Sequence, residues 1–245
     1  MVNVMDGRPL DDRRLAPDAD APRPGTSAGR ALTLATISFA LSFAAWGLVG
    51  GLASVFAGLY KLTASQTALL VAVPVLLGSL ARLPMGILTD RFGGRLVFTA
   101  LLAFSSVAAF LVPLTATYQS LLLAAFLIGM AGSSFSVGAA FVSRWTPATR
   151  QGTALGIYGL GPMGQSLSVF VEPAVAARFG WEAVFRRTSA VLLLSAVVYF
   201  AFAPNPAQAA RPATVAAMTA VLRRAPTAWL LGAFYFLTFG GFVAF

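Results

Sequence analysis

The chain has 245 residues, 58% of them hydrophobic and 10% charged, and a formal net charge of +9. Ordinary soluble domains carry about 25% charged residues, so this composition excludes one. With no Cys and no His, it also excludes thiol catalysis, disulfides, the commonest zinc sites and a histidine proton relay.

The charges lie between long silent stretches. No charged residue occurs in 31–60, 62–81, 96–143, 151–171, 188–210 or 225–245. A membrane span needs about 20 mainly apolar residues. The 96–143 stretch holds two, with a natural break from Pro113 to Gln119. The pattern is therefore an all-α polytopic membrane protein with seven hydrophobic segments, the last cut by the C-terminus.

Residues 1–30 mix Asp, Arg, Pro, Gly and Ala without periodicity and read as a disordered cytoplasmic tail. Helix 1 is expected over about 32–58, with Gly47 and Gly51 on one face for close contact. Helix 2 covers about 65–88, after a cap within Thr63-Ala64-Ser65. Helices 3 and 4 cover about 96–115 and 119–143, and a short link from Arg144 to Arg150 carries Trp145, a residue suited to the interface. Helix 5 at about 152–174 and helix 6 at about 186–203 complete a six-helix bundle over 31–203. The linker 204–226 contains four prolines, and its Val215, Met218 and Leu222 fall on one side, which predicts a short helix lying on the inner membrane surface. Helix 7 begins near Thr227 and is still apolar at Phe245.

With the N-terminus inside, 12 of the 17 basic residues fall in inner segments and four, Lys61, Arg178, Arg186 and Arg187, in outer loops. That asymmetry sets a cytoplasmic N-terminus in the inner (cytoplasmic) membrane. It also accounts for the basic balance without nucleic acid.

The remaining basic residue, Arg82, lies inside helix 2 among Ala81, Leu83, Pro84 and Met85. A cation at that depth costs roughly 2.5–3.5 kcal/mol on insertion scales and commonly faces a bundle interior or a cavity. It either snorkels to the inner surface or serves as the ligand of a small anion, for which its planar fork of donors is suited. Further along the helix comes Gly86-Ile-Leu-Thr-Asp90-Arg91-Phe-Gly93-Gly94-Arg95, with Asp90 about 12 Å from Arg82 at 1.5 Å per residue. The glycines permit the positive φ of a tight reversal. Asp90 at a helix C-terminus opposes the helix dipole and calls for a cationic partner or a facing helix N-terminus. Taken alone, this is a capped turn.

Small residues recur from Gly129 to Ser166, among them Gly132, Gly138, Gly152, Gly156, Gly159, Gly161 and Gly164, with Pro162 between the last two. Close helix packing explains them. Glycine and proline in mid-membrane also disturb the backbone, which is tolerated where it lines a cavity and there offers donors to an oxyanion.

The Gly86–Arg95 stretch reads G-x-x-x-D-R-x-G-G-R and resembles the signature G-x-x-x-D-R-x-G-R between the second and third helices of the major facilitator superfamily. Extended back to Arg82, and joined with the glycine-rich stretch of helices 4 and 5 and with Phe234-Tyr235-Phe-Leu-Thr-Phe239-Gly-Gly-Phe242, the pattern is similar to the nitrate/nitrite porters of that superfamily. The resemblance implies twelve helices in two halves, of which this chain holds the N-terminal six and part of a seventh, the C-terminal half being absent. It implies a site near the midplane, with Arg82 on the anion, Phe135 packing on its face, and Tyr235 and Phe239 contacting it from helix 7. It implies that Gly156, Gly159, Gly161, Pro162 and Gly164 form the helix 5 signature. It also implies that Gly86, Asp90, Arg91, Gly93 and Arg95 form a loop that latches one transport state. The family usually has Asn where this chain has Pro162, which removes a polar contact.

The expected function is therefore a secondary transporter moving nitrate or nitrite by alternating access, as uptake or exchange. The alternatives are a carrier of another small anion, such as an organic acid, and a truncated remnant that transports nothing. The expected partners are the small anion, the bilayer and the missing C-terminal half. No cofactor or metal is expected. The spans offer Ser, Thr and Tyr but no His, Lys or Cys to activate a nucleophile, so an enzyme is not expected.

Overall fold

A computed structural model describes residues 24–204 and 226–244, and every regular element among them is helical. In chain order these are α1 (Pro24–Gly51), α2 (Ala53–Tyr60), α3 (Ala64–Phe92), α4 (Gly94–Leu111), α5 (Tyr118–Ile128), α6 (Ser134–Trp145), α7 (Gln151–Tyr158), α8 (Met163–Phe179), α9 (Trp181–Phe202) and α10 (Pro226–Ala244). The expected seven segments are all present, but four start or break differently. Helix 1 starts at Pro24, so residues 24–30, expected in the tail, form its first two turns. It then breaks at Leu52 into α1 and α2. Helix 4 is α5 and α6 joined by a 3-10 segment, Gly129–Ser133. Helix 5 is α7 and α8 joined by turns at 159–162. Helix 6 starts at Trp181, which places Arg186 and Arg187 within a helix rather than in an outer loop. The expected tail before Pro24 and the amphipathic linker helix at Val215, Met218 and Leu222 lie outside the described residues.

Local chemistry sets the ends. Thr63 and Gln66 form a reciprocal cap at the start of α3, the Thr63 hydroxyl accepting from the Gln66 N–H and the Gln66 side chain accepting from the Thr63 N–H, which satisfies two donors that a helix start leaves open. Thr117 and Ser120 repeat the device at α5. The two sharpest reversals both read Arg-Phe-Gly. Gly93 between α3 and α4 has φ 84°, and Gly180 between α8 and α9 has φ 85°, a backbone state that side chains disfavour.

Packing places α1 at the centre, against α6, α8 and α9, while α4 lies along α9 and α3 along α5 and α6. The core has two layers. One, toward the end where α1 begins, gathers Phe39, Phe43, Trp46, Phe98, Phe141, Tyr158 and Tyr199. The other, toward the α8–α9 turn, gathers Leu48, Leu52, Phe56, Leu70, Ile128 and Phe185. Among the described residues five helices, counting the continuous stretch Tyr118–Trp145 as one, are long and apolar enough to cross a bilayer.

Glycine decides how near α1 and α8 approach. A Cβ at Gly164 would lie 1.9 Å from the Ala40 carbonyl oxygen, and one at Gly161 would lie 1.9 Å from the Phe39 ring. From the other side, Gly47 and Gly51, expected to share a face, both meet α8, at Gln165 and Val169. Gly164→Val is therefore expected to force the two backbones apart and to lower stability by about 1–3 kcal/mol, read as thermal unfolding in detergent. Gly152, with open space around it, is the control: Gly152→Ala is expected to leave the unfolding midpoint near the parent's.

Candidate functional site

The site forms where the 3-10 interruption of helix 4 ends. Backbones come close there because side chains are small: a Cβ at Gly129 would lie 2.3 Å from the Pro74 carbonyl oxygen of α3, and one at Gly78 would lie 2.9 Å from the Gly129 carbonyl oxygen. Phe135, in the first turn of α6, is thereby set beside α3 and turned toward α10. Its ring stacks on that of Tyr235, with centroids 5.6 Å apart and planes inclined by 22°.

Arg82 reaches the same point from α3. Its Nη1 donates to the Tyr235 hydroxyl at 3.0 Å, and the guanidinium carbon lies 5.9 Å from the centre of the Tyr235 ring. The side chain is thus turned across to α10 instead of running along its own helix to the surface. Arg82, Phe135 and Tyr235, far apart in sequence, form one cluster of a cation, a hydroxyl and two stacked rings. Phe239 lies one turn beyond Tyr235 on α10, with its side chain outside the described set.

Behind Phe135 stands a residue that sequence reasoning passed over. Tyr158, the last residue of α7, is fully buried. Its ring stacks on Phe135 at 6.2 Å and on Phe39 at 4.6 Å. Its hydroxyl donates to the Ser134 carbonyl at 2.8 Å, and the absence of a side chain at Gly138 makes room for it, since a Cβ there would lie 2.1 Å from that oxygen. The row Phe39, Tyr158, Phe135, Tyr235 thus runs from the core to Arg82. A tyrosine inside a glycine-rich span was the available signal, because a buried phenol needs a hydrogen-bond partner.

The helix 5 residues divide by role. Gly161 and Gly164 take the close contacts described above, Gly156 has open space, and Gly159 meets only its own turn. Pro162 stands at the N-cap of α8. Through this stretch the N–H groups of Gly159, Leu160, Gly161, Met163, Gly164 and Gln165 each bond within the turns, and Pro162 has none. The expectation that this backbone offers free donors to an oxyanion is therefore corrected. The distorted segment satisfies itself, as a bilayer requires.

At the end of α3, Asp90 has the cationic partner its position calls for. Arg144 Nη2 lies 2.6 Å from its carboxylate, and Nη1 donates to the Thr89 carbonyl at 3.3 Å. This ties the α3–α4 turn to the end of α6. Arg91 is exposed with its guanidinium 5.4 Å from the Phe92 ring centre, Arg95 lies 4.9 Å from that of Phe200 on α9, and Gly86 has open space. Among the described residues no group of three His, Cys, Asp or Glu is placed to hold a metal.

The sequence profile of the Major Facilitator Superfamily matches residues 35–245. Relatives include the "Probable nitrate/nitrite antiporter NarK1" of Thermus thermophilus, 38% identical over 88% of this chain and 51% of its own length. They also include the "Nitrite extrusion protein" of Bacillus subtilis (strain 168), 31% identical over 87% of this chain and 54% of its own length. A third, "Probable nitrate/nitrite transporter NarK2" of Mycobacterium tuberculosis (strain CDC 1551 / Oshkosh), is 36% identical over 87% and 55%. The chain thus spans about half the length of the curated relatives it matches. In three dimensions it resembles a bacterial homolog of the human lysosomal transporter Spinster, crystallised inward-facing and occupied. The TM-score is 0.65 at 16% identity, over 78% of this chain and 47% of that one.

Tyr158→Phe is expected to lose the bond to the Ser134 carbonyl and keep the stack, lowering stability by about 1 kcal/mol. Tyr158→Leu removes both and is expected to cost clearly more. Thermal unfolding of the two variants in one detergent separates these contributions.

Proposed function

This chain belongs to the Major Facilitator Superfamily, and we propose that it is the substrate-bearing first half of a secondary transporter that carries nitrate and nitrite across the inner membrane by alternating access. The single observation that carries the reading is the placement of Arg82, inside a span, against the hydroxyl of Tyr235, whose ring stacks on Phe135. The names of its relatives support the choice of anion.

The chemistry follows from the shapes. Nitrate is flat and trigonal. A guanidinium offers it two parallel N–H donors in one plane, while an aromatic ring such as Phe135 covers its face and keeps water away. In the arrangement described, Arg82 donates to Tyr235. An arriving anion takes that donor, and the freed phenol O–H turns to it as a third. Phe239, one turn further along α10, supplies a second apolar wall in this reading. The rigid row behind Phe135, anchored by Tyr158 on Ser134, fixes the ring at the depth of Arg82.

Among the described residues Glu172, toward the outer end of helix 5, is the one carboxylate more than two residues from a helix end, and it is engaged by Arg187. A proton-coupled carrier needs a group free to titrate, so this half favours nitrate/nitrite exchange. The Gly86–Arg95 loop serves as the latch, with Arg144 holding Asp90 in register and Arg91, at the exposed end of α3, free to meet the facing half.

The test is uptake and counterflow in proteoliposomes, with the complete reading frame expressed. Arg82→Lys keeps the charge but loses the planar fork, and is expected to cut nitrate uptake at least about tenfold, the order of one well-placed hydrogen bond to a charge. Normal uptake by this variant refutes the ligand role. Displacement of nitrate by a small organic acid, but not by nitrite, would reassign the cargo.

Orientation has its own test, helped by the absence of native cysteine. With the N-terminus inside, a cysteine at Ser65→Cys, exposed in the first turn of α3, is expected to react with an impermeant maleimide in intact cells. One at Thr149→Cys, in the α6–α7 turn, is expected to react only after permeabilisation.

A further inference from the structure

A second charged position lies inside the bundle, away from Arg82. Glu172 on α8 and Arg187 on α9 form an ion pair, with the Glu172 side chain largely covered and that of Arg187 half exposed. Arg187 stands six residues into α9, about 9 Å below the Gly180 turn at 1.5 Å per residue. The pair borders a cavity of about 330 Å³ between α1, α8 and α9, at the small end of the ~300–1,000 Å³ usual for small-molecule clefts.

Two further polar groups line the same cavity, Ser168 and Thr188. Ser168 is 97% buried, being 3% exposed, and its hydroxyl has no hydrogen-bond partner among the described residues. A buried hydroxyl left without a partner costs free energy, so its place on this wall points to a polar group that fills the space. The rest of the lining is apolar, with Leu41, Leu167 and Val191 among it. Outside, the surface of α8 carries Phe170 and Val171, both exposed.

The site therefore asks for a ligand with a cationic end for Glu172, an anionic end for Arg187, a hydrogen-bonding middle and an apolar continuation. We propose that this crevice binds one phospholipid with a primary ammonium headgroup, phosphatidylethanolamine. Its phosphate lies on the exposed face of Arg187 and its ammonium donates to the outer lone pairs of Glu172. The hydroxyls of Ser168 and Thr188 meet the phosphate and ester oxygens, and an acyl chain follows the apolar wall. A quaternary choline has no N–H to give the carboxylate, and an anionic lipid without an amine meets Glu172 as a like charge. The bound lipid covers a guanidinium that otherwise stands half exposed in a span, a placement that is costly in hydrocarbon. The proposal is independent of the cargo at Arg82.

The test is native mass spectrometry of the full-length protein, released from nanodiscs holding equal parts of phosphatidylethanolamine, phosphatidylcholine and phosphatidylglycerol. The expected result is one retained phosphatidylethanolamine per chain. Ser168→Ala, which leaves the ion pair intact, is expected to reduce retention several-fold. Arg187→Gln is expected to abolish it, and Glu172→Gln to remove the preference for the primary amine while the phosphate contact persists. Equal retention of all three lipids by the parent, or unchanged retention by a monodisperse Arg187→Gln protein, overturns the assignment. Should Arg187→Gln not fold, the headgroup preference of the parent and its response to Ser168→Ala decide alone.

Discussion

Inside a bilayer no water stands ready to satisfy a polar group, and such groups turn to partners in the protein or to what the protein binds. That constraint organises this chain more than any apolar contact does, because apolar side chains are as content in lipid as in a core. It explains why Ser106 on α4 donates to the Ser189 carbonyl on α9, and why the Ser38 and Ser195 hydroxyls meet between α1 and α9. It explains the Asp90–Arg144 and Glu172–Arg187 pairs. It also explains why the irregular stretch at 159–165 bonds to itself. Arg82 is the same rule at its most demanding: a permanent cation in a span, turned to a phenol on another helix.

Glycine supplies the second ordering principle, by letting backbones approach. Gly47, Gly51, Gly161 and Gly164 lock α1 onto α8, and Gly78, Gly129 and Gly132 bring α3 against the interruption of helix 4. These seams meet near Phe39 and Phe135, so the packing that holds the bundle also fixes the ring that faces Arg82. In the row Phe39, Tyr158, Phe135, the first two rings are wedged by backbone that lacks a side chain, Gly161 against Phe39 and Gly138 against Tyr158, and Phe135 stacks on the second.

The segments themselves were legible because hydropathy and charge gaps follow from one strong preference, burial in hydrocarbon. So were the Thr63 cap, the Gly93 reversal and the demand of Asp90 for a cation, each a local effect within a few residues. What the sequence hid is long-range. Nothing near Asp90 names Arg144 as its partner, more than fifty residues on, and nothing near Arg82 names Tyr235 without a family resemblance. Tyr158 was hidden for another reason: its value lies in a carbonyl at Ser134 and a missing side chain at Gly138, which only a fold brings together. The interruptions of helices 4 and 5 were half visible, since glycine and proline marked the places, but whether such a stretch frees donors or absorbs them depends on turn geometry.

Pro162 carries one more consequence. It caps α8 at the position where a helix start tolerates a missing donor, and asparagine is among the residues a helix N-cap most favours. Either residue thus suits the start of α8.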